Sequence, residues 1–203
     1  MSQLIDLSHT FTEKMPVWPG DIEPEFIQKA TVERDGYSGA VVKASLHVGT
    51  HIDAPSHMIP GGKNLSEIPL ERFFGDGILI DARGKREIDS PLLNDKARGK
   101  IVLVLTGWSQ KFGGDGYFED FPQMTESFAK KLVKLNVKLI GIDTPSPDLE
   151  PYPIHKILLA HEILIAENLT NLEALVETNH FEVSAFPAKM AADGAPVRVV
   201  AKI

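Results

Sequence analysis

Eight short apolar or alternating runs, none longer than nine residues, constrain this chain more than any other feature of its sequence. They are Leu4–Leu7, Ala40–Val48, Ile78–Asp81, Ile101–Leu105, Leu139–Ile142, Ile163–Ile165, Phe181–Phe186 and Val197–Ile203, with turn-forming residues between them. Runs of this length and composition read as β-strands. One segment has a clear helical period: in Met124–Leu135, Phe128, Leu132 and Leu135 share a face, Thr125 can cap the N-terminus, and Lys130, Lys131 and Lys134 suit the C-terminal half. A second helix is expected over Ser90–Ala97, with Pro91 in its first turn and Gly99 as its stop. Strands come first and strand–helix–strand units follow, which predicts mixed α/β structure. The Pro- and Gly-rich pieces are short and lie between core-forming segments, so residues 1–203 are expected to form a single domain.

Composition excludes several classes of function. The 21 Lys and Arg against 28 Asp and Glu give a net charge of −7, and no basic cluster offers a phosphate-binding face, so no nucleic-acid partner is expected. No apolar run reaches the roughly 18 residues of a membrane span, and Asp6 interrupts the N-terminal apolar stretch where a signal peptide needs continuity. A cytoplasmic protein with no membrane association is the expectation. Cysteine is absent, so no thiolate nucleophile and no sulfur-ligated metal can exist, and any metal must sit on His, Asp and Glu. Phosphate-loop, dinucleotide and serine-nucleophile signatures are also missing; Gly36-Tyr-Ser-Gly39 is one residue short of a nucleophile elbow.

Chemistry concentrates in Ser45-Leu-His47-Val-Gly-Thr-His51-Ile-Asp53-Ala-Pro-Ser-His57, where three of the seven histidines fall within eleven residues. The segment begins as an alternating strand, placing Lys43, Ser45 and His47 on one face, and Gly49 then permits a tight turn. If the chain is extended beyond it, His51 and Asp53 share a face and can converge on one ion. Two imidazoles and a carboxylate suit Zn²⁺, or Mn²⁺ and Fe²⁺ if further oxygen ligands join. Pro55 stiffens the approach to His57. A second cluster runs from His155 through His161-Glu162 to Glu167. The pair His161-Glu162 starts like a zincin helix, but Ile165 stands where that motif requires histidine. Glu167 ends an apolar strand-like run, where a carboxylate is either solvated or functional. Isolated His9 and His180 are expected to be ordinary structural or surface residues.

The histidine string resembles the signature of the cyclase family of metal-dependent hydrolases, which includes bacterial kynurenine formamidase (arylformamidase) and isatin hydrolase. The likeness continues through Ile5-Asp-Leu-Ser8, Pro16-Val-Trp18-Pro-Gly-Asp21, Thr106-Gly-Trp108, Gly141-Ile-Asp-Thr-Pro-Ser146, Glu167-Asn-Leu169 and Ala192-Asp-Gly-Ala-Pro-Val-Arg198. The resemblance implies an α/β fold built on a barrel-like mixed sheet flanked by helices, of the swivelling β/α kind, in homodimers or higher oligomers. It also implies two divalent ions, zinc or manganese: His47, His51 and Asp53 hold the first, Asp53 bridges to a second on His155, and Glu167 reaches both. His57 is left unligated as the general acid/base, and Trp18 lines the substrate pocket. The implied reaction is hydrolysis of a small aromatic amide by metal-activated water, an arylformamide of the N-formylkynurenine kind met in tryptophan catabolism. Two alternatives stand beside it: hydrolysis of a cyclic amide or ester, as in isatin hydrolase, and metal or small-acid binding without catalysis. Pro151-Tyr-Pro-Ile-His155-Lys-Ile-Leu-Leu159 departs from the formamidase pattern and widens the range of substrates to consider.

Overall fold

The computed structural model describes residues 2–203. In chain order the strands are β1 (Leu4–Asp6), β2 (Glu25–Ala30), β3 (Gly39–Lys43), β4 (His51–Asp53), β5 (Phe74–Asp81), β6 (Glu87–Ile88) and β7 (Ile101–Leu105). They continue with β8 (Gln123–Met124), β9 (Leu139–Ile142), β10 (Leu164–Glu167), β11 (Glu182–Ser184), β12 (Gly194–Pro196) and β13 (Val200–Lys202). Three α-helices accompany them: α1 (Val32–Asp35), α2 (Glu126–Lys134) and α3 (Pro153–Ala160). Nine strands form one mixed sheet in the order β1-β13-β11-β5-β7-β9-β10-β4-β12. Strands β5, β7, β9 and β10 run parallel, and those toward either edge are antiparallel. The sheet curls until Ser8, just past β1, bridges Leu169, just past β10. The expected barrel-like α/β fold is therefore the observed one.

The strand sequences explain this layering. Side chains alternate across a strand, and a parallel strand covered on both faces reads as an unbroken apolar run. In β7, Ile101, Leu103 and Leu105 enter the core enclosed by the curl, together with Val183, Val199 and Ala201. Val102 and Val104 face the opposite way, into a second core with Phe128, Leu132 and Leu158 of the helices. Helix α2 follows the predicted pattern closely: the Thr125 side chain accepts from the Phe128 N–H at 3.2 Å, and Leu135 caps the far end.

Two expected elements differ. Ser90–Ala97 forms two single 3-10 turns, Ser90–Leu92 and Asp95–Ala97, because Asn94 between them adopts an extended conformation and its side chain accepts from the Lys96 N–H, starting a new turn. The strand expected over Ala40–Val48 ends at Lys43 in a hairpin with β2, which the eight runs did not include. Residues 44–50 leave it as an irregular loop, so Lys43, Ser45 and His47 do not share a strand face. No helix among the described residues is long and apolar enough to cross a membrane.

Candidate metal centre

Strand β4 is only His51-Ile52-Asp53, and its alternation creates the centre. Ile52 enters the enclosed core, so His51 and Asp53 emerge together on the other face, as the spacing predicts. Neighbouring strands complete the set. Glu167, at the end of β10, pairs with His51 in register, and Gly194, at the start of β12, pairs with Asp53. His47 arrives from the preceding loop, which turns at Gly49 with φ +62°. His155 comes from the first turn of α3, and His57 from the 3-10 turn Pro55–His57 immediately after β4.

The two oxygens of Asp53 address different neighbours. Oδ1 lies 2.7 Å from His47 Nδ1 and 3.4 Å from His51 Nε2, whereas Oδ2 lies 3.7 Å from His155 Nε2. Glu167 divides in the same way, with Oε2 3.3 Å from His51 Nε2 and Oε1 3.2 Å from His155 Nε2. The second nitrogen of each imidazole is already engaged: His51 Nδ1 with the Gly49 carbonyl at 2.8 Å, His155 Nδ1 with Asp148 at 2.6 Å, and His47 Nε2 with Asp193 at 3.0 Å. Such outer contacts fix the tautomer and orientation of metal-ligating histidines. Glu167 Oε1 is buried and has no hydrogen bond of acceptable geometry despite its closeness to His155. A buried carboxylate oxygen in that condition suits a shared cation better than it suits an N–H donor. The donor set of nitrogen and oxygen atoms fits a divalent metal, and the residues expected from the sequence are the ones brought together.

Electrostatics point the same way. Burial would raise the Asp53 carboxyl, yet His51, His155 and His47 hold it well below its usual range. Burial and the Asp53 charge push Glu167 upward, and His155 and His51 overcome them and lower it. Burial pulls the His51 imidazole down, but Asp53 and Glu167 raise it to about 10. His155 is likewise raised well above its ordinary value by Asp148, Asp53 and Glu167, against its burial. Without metal, protons on these imidazoles balance the two carboxylates; metal must displace them. Zinc affinity, measured by chelator competition, should therefore climb as pH rises from 6.5 toward about 10, with proton release on binding. In the metal-free protein, the stabilisation from charged His51 is complete below 6.5 and fades as pH approaches about 10, while that from Asp53 is present above 3.8 and is lost in acid. Thermal unfolding should show the alkaline decline without metal and much less of it with metal.

A cavity of about 250 Å³ opens on the centre, lined by Trp18, Phe118, Tyr152, Met58 and His57 among others. Trp18 stands edge-on to Phe118 at 5.5 Å and to Phe121 at 6.4 Å, which fixes its ring as part of the wall. The remaining histidines lie apart. His9 stacks on Phe112 at 3.7 Å, and burial lowers its pKa to about 4; His161 bonds the Ile157 carbonyl; His180 lies on the surface beside Asp76. Glu162 pairs with Lys63, away from the centre.

Sequence reasoning missed Asp148 and Asp193 as supporting residues. Asp148 also accepts from the Ile154 N–H at 2.6 Å, capping α3 and orienting His155 together. Its local signal was a carboxylate shortly before a Pro-initiated helix. Gly194 was missed too. A Cβ there would lie 2.5 Å from His47 Cε1, so Gly194→Ala should displace the imidazole and weaken zinc binding about 10–100-fold, with the circular dichroism spectrum unchanged.

The family description "Putative cyclase" matches residues 5–149. The chain belongs to the cyclase family. Similarity to full-length relatives agrees: it is 31% identical over 207 residues to a kynurenine formamidase of Maricaulis maris, covering 98% of each chain. It is 35% identical over 206 residues to an uncharacterized protein of Methanocaldococcus jannaschii, again covering 98% of each. Among solved structures, isatin hydrolase A from Labrenzia aggregata, bound to benzyl benzoate, superposes with a TM-score of 0.87 at 25% identity, over 100% of this chain and 94% of that one. Cyclase-family membership thus rests on nearly the whole length of the chain.

Proposed function

We propose that this cyclase-family chain is a divalent-metal-dependent hydrolase that cleaves a small aromatic amide, an arylformamide of the N-formylkynurenine kind. The observation that carries the reading is the pair of buried carboxylates, Asp53 and Glu167, each presenting its two oxygens to different imidazoles whose outer nitrogens are already held. His47, His51 and Asp53 would hold one ion and His155 another, with Asp53 shared between them and Glu167 reaching both. Zinc or manganese suits these donors. When bound, such an ion polarises a carbonyl oxygen and lowers the pKa of water to about 7.

The chain's own residues supply the rest. His57 lies among the candidate ligands, close enough to Asp53 and His155 to share an ion with them, and one of its ring nitrogens is hydrogen-bonded to Asp193. Its other nitrogen can accept a proton from the attacking water and then hand that proton to the departing amine, a step typically worth about 10²–10⁴-fold. Trp18 and Phe118 present apolar rings to an aromatic substrate. The cavity volume suits a small molecule and is too tight for a folded polypeptide. Trp18→Ala should raise KM about tenfold while leaving metal content and kcat nearly unchanged; steady-state kinetics with matched metal analysis would show it, and an unaltered KM would end the assignment of Trp18 to substrate binding.

The likeness to isatin hydrolase A favours a second reading in which the scissile bond belongs to a cyclic amide. Elemental analysis of purified protein, with hydrolysis of N-formylkynurenine and of isatin assayed on the same sample, tests both. About two equivalents of metal and turnover of the formamide would support the first reading; turnover of isatin alone would favour the second. Failure to take up metal after reloading would remove both.

A further inference from the structure

Asp193 sits where two otherwise separate parts of the centre meet. Its Oδ2 is 3.0 Å from His47 Nε2 and 3.2 Å from His57 Nδ1. The two imidazoles lie nearly face to face, with ring centroids 4.0 Å apart and planes inclined by 31°. The carboxylate is held there by the main chain: the Asp193 carbonyl accepts from the Ala54 N–H at 2.8 Å, and the Ala54 carbonyl accepts from the His57 N–H at 2.9 Å. Asp193 and His57 are thus both anchored to one fully buried residue at the end of β4. On the other side, Gly194 leaves the space the His47 ring occupies. The Asp193 side chain itself is 40% exposed, so water could satisfy it, and packing alone does not require its contacts with these rings.

We propose that Asp193 is a positioning residue that fixes the tautomers of both imidazoles through one oxygen, accepting Nε2–H of His47 and Nδ1–H of His57. The consequences are opposite and complementary. His47 is left to face Asp53 and the ion with Nδ1, while His57 keeps Nε2 as the nitrogen that exchanges protons. The two ring nitrogens of histidine are distinct, and the hydrogen bond made by one decides what the other can do. A carboxylate on the outer nitrogen performs this task for metal-bound histidines, and a buried aspartate performs it for the base of a serine-nucleophile triad. Here a single carboxylate does both. The proton-transfer part of this inference rests on the hydrolase reading; the tautomer assignment does not.

The test uses uniformly ¹⁵N-labelled, zinc-loaded protein at a pH above about 8, where an ordinary imidazole is neutral. Long-range proton–nitrogen correlation spectra, assigned with His57→Gln, report which ring nitrogen of His57 carries hydrogen. The expected result is Nδ1–H in the unmodified protein, reverting in Asp193→Ala toward the Nε2–H form that neutral histidine prefers in water. Nε2–H in the unmodified protein would overturn the inference without recourse to any variant. In parallel, Asp193→Ala should keep its full complement of zinc at saturation while chelator competition shows an affinity about 10–100-fold lower. Loss of a whole zinc equivalent would instead make Asp193 a ligand and also overturn it. Formamide hydrolysis by Asp193→Ala should lose roughly 10–100-fold in kcat with little change in KM. If the unmodified protein hydrolyses no amide, the hydrolase reading fails, and the ring-nitrogen spectrum still decides the role of Asp193.

Discussion

Asp53→Ala should strip the protein of essentially all bound metal and reduce hydrolysis by at least about 10³-fold, since several kcal/mol of transition-state stabilisation depend on the ion. Asp53 is the one residue within reach of all three candidate histidine ligands, His47 and His51 through one oxygen and His155 through the other. Its removal therefore acts on both halves of the centre. Alanine leaves the buried Glu167 as the sole carboxylate between His51 and His155, so the charge balance fails in the metal-free protein as well. Elemental analysis after dialysis against excess zinc is the decisive measurement. Two retained equivalents would show that Asp53 does not bridge. One retained equivalent would confine it to a single ion.

His57→Ala should separate chemistry from metal binding. The expected result is a fall in kcat of about 10²–10⁴-fold with metal content and zinc affinity close to those of the unmodified protein. The contrast with Asp53→Ala follows from position. His57 comes from the 3-10 turn after β4, half-buried, with its hydrogen bond directed to Asp193, whereas Asp53 is buried among the candidate ligands. Full activity without His57 would end its assignment as acid/base. Loss of metal along with activity would make it a ligand.

The residues of the centre differ in how far local sequence could reveal them. His47, His51, Asp53 and His57 fall within eleven residues, and two-residue alternation alone places His51 and Asp53 on one face of β4. His155 and Glu167 were visible as a second cluster, but nothing local tied them to the first; their roles came from the family resemblance. Their placement depends on β10 pairing with β4 in a register that sets Glu167 opposite His51, across more than a hundred residues of chain. Asp148 and Asp193 gave still less away, because an acceptor on the outer nitrogen of a histidine has no required spacing from it. The short helix expected at Ser90–Ala97 failed for a local reason: the capping side chain of Asn94 competes with continuation of the turn.

The sequence by itself determined the strand-rich α/β character, helix α2 and the chemical type of the centre, because apolar periodicity, capping residues and donor atoms are properties of neighbouring residues. Tertiary structure decided which strands lie side by side, which oxygens of Asp53 and Glu167 face which imidazoles, and that Asp193 reaches two of those imidazoles at once. The physical reason is that such pairings arise from burying both faces of a curled sheet, and a few ångströms of register then decide contacts to which local sequence is blind.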